Sequence, residues 1–533
     1  MKNVSRRKHY SYYVFVTRML NKKQEVLKIR ESRWIFLYNR DTKMESLTVL
    51  QGYKKFFFPF TRHKNFWLKG MKMLFWLSLL SAVFSGCASY HPRYLTSEAV
   101  EEKLAVPSIN DIRIMAGSID HPVLKPIDFD DRDGLSPDEA AVLAVLLDPS
   151  LTVERDRRLL AEAQLLQAGL LPNPQFSYNL NFPTGGAIEG LVNSFATNLN
   201  WNIESLISRS SRVEVASAKQ AEIDLVVAWM ELQVAQGARM AVYQLVALNK
   251  QAQIRKEMEQ LLSENVNLVR QAVQNGLLTK LDLAAAEAAY NQAQVALLQV
   301  TQESGQQLLT LKQLLGLPSD YEIKLQNNIE LMDNIDISLL EPFVASIDTR
   351  RLDLLALRQG YKSEEAAVRA AILTQFPMIN PGVNQARDFG SFYNTGPGIT
   401  IGLPIFNRNQ GMIAFEGATR KQLFDQYVNS VFAARITAAK LLKVILSLNH
   451  RITVSKEAIQ VLEKLLLTYR QGLEQGYSDV VIYYNTWGSL AQKRIDLILL
   501  KQQLMDSRFA FELAVGIYSI ESVPLVTEPV SLK

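Results

Sequence analysis

The side chains that usually carry catalysis or metal binding are few and scattered in this chain of 533 residues. It holds one cysteine, Cys87, and of its five histidines only His91, His121 and His450 lie beyond that cysteine. One cysteine cannot form an internal disulfide, and the histidine spacing does not match a zinc site. The sequence also lacks a nucleophile elbow and a phosphate-binding loop. We therefore predict a protein that is not an enzyme and that needs no metal and no soluble cofactor.

Cys87 ends a segment with the composition of a secretory signal. Lys69 and Lys72 precede an apolar run over residues 73–84, and small residues surround the cysteine in Ser85-Gly86-Cys87-Ala88-Ser89. The run is too short for a membrane-spanning helix. It resembles a bacterial lipoprotein signal, so we expect residues 71–86 to be removed and Cys87 to carry a covalent lipid. The alternative is a buried core helix with an incidental cysteine.

The basic residues are concentrated before that signal. Residues 1–70 contain 17 Lys and Arg against 4 Asp and Glu, while the whole chain contains 58 against 53. The rest of the chain is therefore acidic, which argues against a nucleic-acid partner for the folded body. Because such signals begin near the initiator methionine, we expect translation to start at Met71 or Met73. The alternative is a genuine basic arm that lies on a membrane surface.

A repeat of about 200 residues occupies most of the remaining chain. The turn sequence Gly276-Leu277-Leu278-Thr279 is matched by Gly476-Tyr477-Ser478-Asp479. Heptad positions follow each turn, and this pattern is typical of long helices in left-handed coiled coils. In the first copy these positions are Leu283, Ala286, Tyr290, Ala293, Leu297, Val300, Ser304, Gln307, Leu311 and Leu314. In the second copy they are Tyr483, Thr486, Leu490, Lys493, Leu497, Leu500, Leu504, Ser507, Phe511 and Ala514.

Both copies have the same predicted order of elements. A helix (136–171 and 348–375) ends at proline, which cannot continue a helix. Two strands follow, and then a helix of about 65 residues runs from Ser208 or Asn409 to the glycine turn, roughly 100 Å at the rise of an α-helix. In the first copy the strands (176–182 and 195–203) alternate apolar residues with amide or other small residues. The strands of the second copy, 378–389 and 396–406, alternate less clearly.

Strands with this alternation and length are typical of membrane β-barrels. Four strands cannot close a barrel, because an open edge in lipid leaves backbone groups without partners. Chains would have to pool their strands, and a dimer would supply eight and a trimer twelve. The alternative is a soluble four-stranded sheet packed on helices.

These features together resemble the TolC family of outer-membrane efflux proteins over about residues 136–520. The resemblance rests on the duplicated unit, on Gln-Ala-Gly-Leu-Leu-Pro-Asn-Pro at 167–174 and on Leu-Pro-Ile-Phe-Asn-Arg-Asn-Gln-Gly at 403–411. It implies a mainly α fold with a small β part. Long coiled-coil helices would form a periplasmic α-barrel, and four strands per protomer would contribute to a transmembrane β-barrel shared in a homotrimer. The second motif is most similar to the branch that serves heavy-metal efflux pumps.

The resemblance also assigns roles to residues. Hairpin tips that dock a periplasmic adaptor would be formed by Asn275, Gly276, Leu277, Thr279, Gln475, Gly476, Tyr477 and Ser478. The periplasmic entrance would be lined by Asp282 and Asn485, and Asp282 is equally well explained as a helix-start residue favoured by the helix dipole. Pro404, Asn407 and Arg408 would form the switch from strand to helix, with Asn407 or Asn409 capping the helix.

The predicted function is an export duct of a tripartite efflux system in the outer membrane of a Gram-negative bacterium. Its partners would be a periplasmic adaptor, an inner-membrane pump of the resistance-nodulation-division type and outer-membrane lipid, and its cargo heavy metals or drugs. The alternative is a periplasmic coiled-coil lipoprotein scaffold without a pore. The predicted segments are a basic leader (1–70), a signal peptide (71–86), an extended segment (87–135), a first repeat (136–320), a linker (321–347), a second repeat (348–520) and a tail (521–533).

Overall fold

The computed structural model describes residues 89–130, 132–475 and 480–520. The leader, the signal peptide, Cys87, part of the second turn and the tail lie outside this range. Two compact units divide the chain, Met1–Tyr94 and Leu95–Lys533. The first contributes only residues 89–94 to the described part, and these contain no helix or strand.

The segment predicted to be extended (87–135) contains two helices, α1 (Ser97–Leu104) and α2 (Ile109–Gly117). Each begins after a hydroxyl N-cap, Thr96 or Ser108, whose oxygen accepts a backbone N–H of the first turn. No residue of α1 is buried, whereas Ile112 and Ala116 of α2 enter the core. The prediction was therefore wrong for 97–117, and its error came from helices too short to show a periodic pattern.

The predicted helix 136–171 is two helices, α3 (Pro137–Leu147) and α4 (Pro149–Gly169). Asp148 ends the first and caps the second, since its Oδ1 accepts the N–H of Ser150 at 2.8 Å. Pro149 stands at the first position of α4, where the N–H it lacks would have no partner within the helix. The prediction of one continuous helix was wrong because it overlooked the signal that Asp148-Pro149 provides.

The first repeat continues with β1 (Gln175–Asn181), β2 (Ser194–Asn200), a short α5 (Glu204–Ile207), α6 (Arg209–Gln274) and α7 (Lys280–Leu314). A 3₁₀ turn (Ile337–Leu339) and the short helices α8 (Glu341–Ala345) and α9 (Ile347–Arg350) lead to the second repeat. That repeat contains α10 (Leu352–Leu373), β3 (Met378–Arg387), β4 (Tyr393–Gly402), α11 (Gln410–Glu474) and α12 (Val480–Val515). The predicted helix 348–375 is therefore also broken, at Arg351.

The two long helices confirm the sequence prediction, with 66 residues in α6 and 65 in α11. Each packs against the helix that follows its turn, α7 or α12. The heptad positions of α7 are all buried or half-buried, and so are those of α12 apart from Lys493. The seven-residue pattern therefore correctly predicted the buried face of each helical hairpin.

The core contains two large apolar clusters, one centred on each repeat. The first joins α2 and α3 to α6 and α7 through residues such as Ile112, Leu143, Val242 and Leu311. The second joins α10, α11 and α12 to the segment predicted to be a linker, which contributes Ile335, Leu340, Phe343 and Ile347. That segment is therefore part of the core.

Each repeat ends in a glycine turn that lies against the helix break at its own start. Gly316 follows α7 and Gly516 follows α12, both with positive φ (63° and 78°). In both turns the next N–H reaches five residues back, from Leu317 to Lys312 and from Ile517 to Glu512, each at 2.9 Å. This is the Schellman arrangement, which requires a left-handed residue. A Cβ at Gly516 would lie 2.6 Å from Cα of Arg351, and one at Gly316 would overlap the carbonyl oxygen of Leu147.

We expect Gly316→Ala to lower the free energy of unfolding by about 2–4 kcal/mol, through the strained φ and the overlap with backbone. Gly305→Ala is the matched control, because Gly305 lies inside α7 with no atom within 4 Å of an added Cβ. The control is expected to be neutral or to stabilise by up to about 1 kcal/mol. Urea unfolding followed by circular dichroism measures both, and equal effects of the two substitutions would contradict the packing described for Gly316.

Candidate functional site

The four strands form one antiparallel sheet in chain order, β1-β2-β3-β4. The register places Tyr178 opposite Thr197, Thr197 opposite Gln385 and Gln385 opposite Thr395. Because directly paired residues share a face, the register sorts all four strands into two surfaces. The apolar sheet face comprises Phe176, Tyr178, Leu180, Phe195, Thr197, Leu199, Ile379, Pro381, Val383, Gln385, Arg387, Tyr393, Thr395, Pro397, Ile399 and Ile401.

The opposite surface, the polar sheet face, contains mainly asparagine, serine, glycine, alanine and threonine. Asn179, Asn198, Asn384 and Asn394 are typical members. The alternation predicted for the first two strands is therefore confirmed and extends to β3 and β4. There it was harder to recognise, because glycine and proline replace side chains of clear polarity.

The apolar sheet face is open to solvent in a single chain. Phe176 is 68% exposed and Ile399 67% exposed, although both lie within regular strands. The outer edges of β1 and β4 pair with no other strand of the described chain. The sheet thus has an apolar face without a packing partner and two edges without hydrogen-bond partners. Such a sheet is expected to be completed by contact with another surface.

Aromatic side chains gather at both ends of the strands. At the end that carries the turns, Phe195 packs near Tyr178 and Tyr393, with ring centroids 6.3 and 6.2 Å away. Near the helical end, the indole N–H of Trp201 donates to the carbonyl oxygen of Pro172 at 2.7 Å. Two aromatic bands that flank an apolar strip are typical of strands that cross a bilayer.

The strand-to-helix switch lies between β4 and α11. The Asn407 side chain accepts the N–H of Asn409 at 2.9 Å, and Arg408 Nε donates to the carbonyl oxygen of Pro404 at 3.4 Å. Neither asparagine side chain caps α11, so that prediction was wrong. Asn409 instead has a left-handed backbone (φ 61°), and its amide donates to the Ala371 carbonyl oxygen at 2.8 Å and to the Thr374 hydroxyl. It thereby fastens the start of α11 to the end of α10.

We expect Asn409→Ala to destabilise the protein by about 1–3 kcal/mol, since it removes two hydrogen bonds and leaves alanine in a left-handed conformation. Asn409→Gly removes the same bonds but tolerates that conformation. The order of stability should therefore be wild type, glycine variant, alanine variant, as measured by thermal unfolding in detergent. An alanine variant as stable as the wild type would contradict this role.

The first hairpin tip joins α6 to α7. Asn275 ends α6, Gly276 has a positive φ of 73°, and the N–H of Leu277 donates to the carbonyl oxygen of Ala272 at 2.8 Å. Thr279 then caps α7 as predicted, and Leu277 is 75% exposed. At the second tip Gln475 ends α11, while Gly476, Tyr477 and Ser478 lie outside the described residues.

Asp282 is the acidic half of a capping box at the start of α7. Its carboxylate accepts the N–H of Thr279 at 2.8 Å and the Thr279 hydroxyl at 2.7 Å. These bonds hold the pKa of Asp282 below its usual value. The contacts support the helix-start interpretation, because they already occupy one carboxylate oxygen. Asn485, the other predicted entrance residue, is exposed on α12.

A buried charged cluster, which sequence reasoning missed, joins the two repeats. Glu512 of α12 is fully buried and accepts from Arg239 of α6 at 3.1 Å and from Arg508 at 3.0 Å. The Arg239 guanidinium lies 4.7 Å from the ring centroid of Phe509 and 4.6 Å from that of Tyr518. No local pattern predicts the contact between the repeats, because Arg239 and Glu512 lie 273 positions apart.

The N-terminal segment is fastened to α6 by His121. Its Nδ1 accepts the N–H groups of Val123 and Leu124 at 3.0 and 2.9 Å, so Nε2 carries the proton and donates to the Ala228 carbonyl oxygen at 3.0 Å. Burial lowers the pKa of His121, which favours this neutral form. His121 therefore acts as a neutral structural link.

The described part of the chain holds no group of three or more His, Cys, Asp and Glu side chains arranged to bind a metal ion. Among residues 89–130, 132–475 and 480–520, no helix combines the length and the hydropathy that a membrane span requires.

Comparisons with solved structures identify the same fold elsewhere. VceC of Vibrio cholerae, an outer membrane protein, superposes with a TM-score of 0.59 at 19% identity, over 71% of this chain and 96% of VceC. CmeC of Campylobacter jejuni, an outer membrane channel, gives 0.58 at 15%, over 81% and 95%. CusC, whose structures concern transmembrane channel formation, gives 0.57 at 17%, over 76% and 99%. Identities this low show a shared fold and nothing more.

Sequence comparison adds a family. A search of curated proteins returns no match. The profile of the outer membrane efflux protein family matches residues 143–317, which run from α3 to the glycine turn after α7. Over these residues, about a third of the chain, the sequence is similar to the outer membrane efflux protein family.

Proposed function

We propose that the protein is the outer-membrane channel of a tripartite export system and that it acts as a homotrimer. The observation that carries the proposal is the four-stranded sheet with one apolar face, one polar face and two unpaired edges. Three copies would pair the edge of β4 with that of β1 in the next copy and close a barrel of twelve strands. Lipid would then cover the apolar sheet face, and the polar sheet face would line the pore.

The helical part supports the same assembly. Along α11 a row of large apolar side chains stays exposed, among them Phe415, Phe424, Val428, Phe432 and Ile436. A second copy of the chain is the occupant that closes both this row and the sheet edges in one arrangement. The long helices of three copies would then continue the pore into the periplasm.

Ionic conductance tests the channel directly. The purified, detergent-solubilised protein, inserted into a planar bilayer, should give discrete conductance steps, and its mass in solution should be that of a trimer. A monomer that needs no detergent and gives no steps would instead support the coiled-coil scaffold without a pore.

The hairpin tips are proposed to dock a periplasmic adaptor that connects the channel to an inner-membrane pump. Exposed leucine at a glycine-stabilised turn, as at Leu277, supports this role, because an apolar residue in solvent gains by being covered. We expect a photo-crosslinking residue at Leu277 to capture an adaptor in intact cells, with the adduct identified by mass spectrometry. Leu298 is the matched control, since it is 70% exposed but lies far along α7 from the tip. Equal capture from both positions would contradict docking at the tip.

Three further features belong to this proposal. Cys87 would carry the lipid that anchors the mature chain in the outer membrane, and mass spectrometry of its N-terminal peptide would detect the acyl groups. Metal ions or drugs would be the cargo, and deletion strains challenged with each class would distinguish them by loss of resistance. The pump would be of the resistance-nodulation-division type.

A further inference from the structure

Two carboxylates face each other where α10 packs on α11. Glu364 projects from α10 and Glu416 from α11, and their side chains interact directly. Glu364 Oε1 is sealed from solvent and has no hydrogen-bond donor among the described residues. A buried carboxylate oxygen that faces a second carboxyl group is costly when both are ionised. A single proton between the two groups would satisfy it.

Several charged groups near the pair form ion pairs with one another. They come from α6, α10 and α11, the three helices that meet here. The contacts are Glu214 with Arg369 at 2.9 Å, Lys219 with Glu222 at 2.9 Å and Glu365 with Arg420 at 3.1 Å. Arg212 of α6 also faces this region, and its guanidinium donates to the Ser208 hydroxyl at 2.9 Å and to the Ser205 carbonyl oxygen at 3.0 Å.

Lys219 lies close enough to attract the Glu364 carboxylate, but this attraction is the smallest of the influences on its pKa. Burial and the neighbouring Glu416 act in the opposite direction and together raise the pKa of Glu364 to about 7. Glu364 therefore holds a proton beside Glu416 under mildly acidic conditions and loses it near neutrality.

Glu416 borders a cavity at the strand-to-helix switch, together with the charged residues Glu204 of α5 and Arg212 of α6. Glu416 lines this cavity of about 650 Å³ together with Asn409, Thr374 and alanines of α10. Glu416 lies seven residues beyond Asn409 on α11, about 10 Å along the helix. Asn409 and Thr374 also connect α10 to the start of α11. A change in the α10–α11 contact here is therefore close to the place where β3 and β4 join the helices.

We propose that Glu364 and Glu416 form a proton-dependent clasp that holds α10 against α11 and loosens when the shared proton is lost. With the proton bound, one carboxylic acid donates to the other carboxylate and the pair carries a single negative charge. When the proton passes to solvent, two negative charges face each other across the helix contact and repel. The clasp depends only on contacts within one chain, so it stands or falls independently of the proposed channel function.

The direction of the pH effect follows from the raised pKa. In the unfolded chain a glutamate titrates near 4.5, so between that value and about 7 the folded state binds more protons than the unfolded state. The clasp therefore stabilises the fold fully below about pH 4.5. This stabilisation decreases as the pH rises towards about 7 and is absent at higher pH.

Infrared difference spectroscopy of the full-length protein in detergent tests the proton. The wild type should show a protonated-carboxyl band that disappears with a midpoint near pH 7, and both Glu364→Gln and Glu416→Gln should lack it. Glu365→Gln is the matched control, because Glu365 is the next residue but pairs with Arg420, and it should retain the band. A band absent from the wild type, or retained in either pair variant, would overturn the proposal.

Thermal unfolding tests the clasp itself. Between about pH 5 and 8 the wild-type melting temperature should fall more steeply than that of Glu364→Gln or Glu416→Gln. Both variants are measured so that the test still works if one of them does not fold. The pH slope of either folded variant, compared with that of the wild type, is sufficient. The same pH slope in wild type and variant would show that the pair binds a proton without holding the helices, which would also overturn the proposal.

Discussion

Glu512→Ala is expected to lower the free energy of unfolding by about 3–5 kcal/mol, because it leaves two buried arginines without their shared carboxylate. Glu512 is fully buried between Arg239 and Arg508. The carboxylate also accepts the N–H of Ile520 at 3.1 Å and the side-chain amide of Gln236 at 3.3 Å. The substitution therefore takes one acceptor away from charged and neutral donors together, and urea unfolding monitored by circular dichroism measures the loss of stability.

Glu463→Ala is the control for this prediction. Glu463 pairs with Arg494 at 2.7 Å, a shorter contact than either made by Glu512, but both side chains of that pair are more than 40% exposed. An exposed pair contributes about 0–1 kcal/mol. If the two alanine variants lost the same stability, the cluster around Glu512 would not be the connection between repeats that its geometry indicates.

Val383→Arg is expected to prevent stable insertion and assembly, whereas Asn384→Arg is tolerated. Val383 lies in the middle of β3 on the apolar sheet face, between Leu199 and Pro397, and the next residue, Asn384, lies on the polar sheet face. Arginine at the middle of a bilayer costs about 2–4 kcal/mol in each protomer. On a water-filled side the same residue remains solvated, so the two adjacent substitutions should differ sharply.

The amounts of membrane-inserted oligomer measure this difference. Membrane fractions from cells that express each variant can be separated on gels under mild conditions that preserve oligomers. Equal amounts of oligomer for Val383→Arg and Asn384→Arg would contradict the assignment of the two faces. Loss of both oligomers would mean that β3 tolerates no arginine, and Thr400→Arg on the polar sheet face of β4 would then decide the assignment.

Much of the fold could be predicted from the sequence because its patterns are local and long. The alternation of Phe176 and Tyr178 with Ser177 and Asn179 defines a strand face within a few residues. The helices α6 and α11 are long enough for their ends at glycine turns to be recognised. The break at Pro149 also had a local signal, which was outweighed by the helical composition on both sides of it.

The rest of the site could not be predicted because its contacts join distant parts of the chain. The Arg239–Glu512 contact crosses from the first repeat to the second, and Glu364 meets Glu416 only after α10 and α11 pack together. Asn409 was identified as a capping residue, but tertiary contacts with α10 determine what its side chain does. Sequence patterns therefore predicted the helices, the strands and their buried faces. The hydrogen bonds and ion pairs between elements could not be predicted, because they join residues that are far apart in the sequence.

The pairing of β2 with β3 has a consequence for how the chain folds. Asn200 pairs with Gly382, so this contact closes a loop of about 180 residues, whereas β1–β2 and β3–β4 are local hairpins. Loop closure of this length is slow compared with hairpin formation. During synthesis the first hairpin therefore exists for some time with the edge of β2 unpaired, before its partner strand β3 has been made. The nascent chain is vulnerable to aggregation in that interval, and a chaperone that shields unpaired strands would protect it.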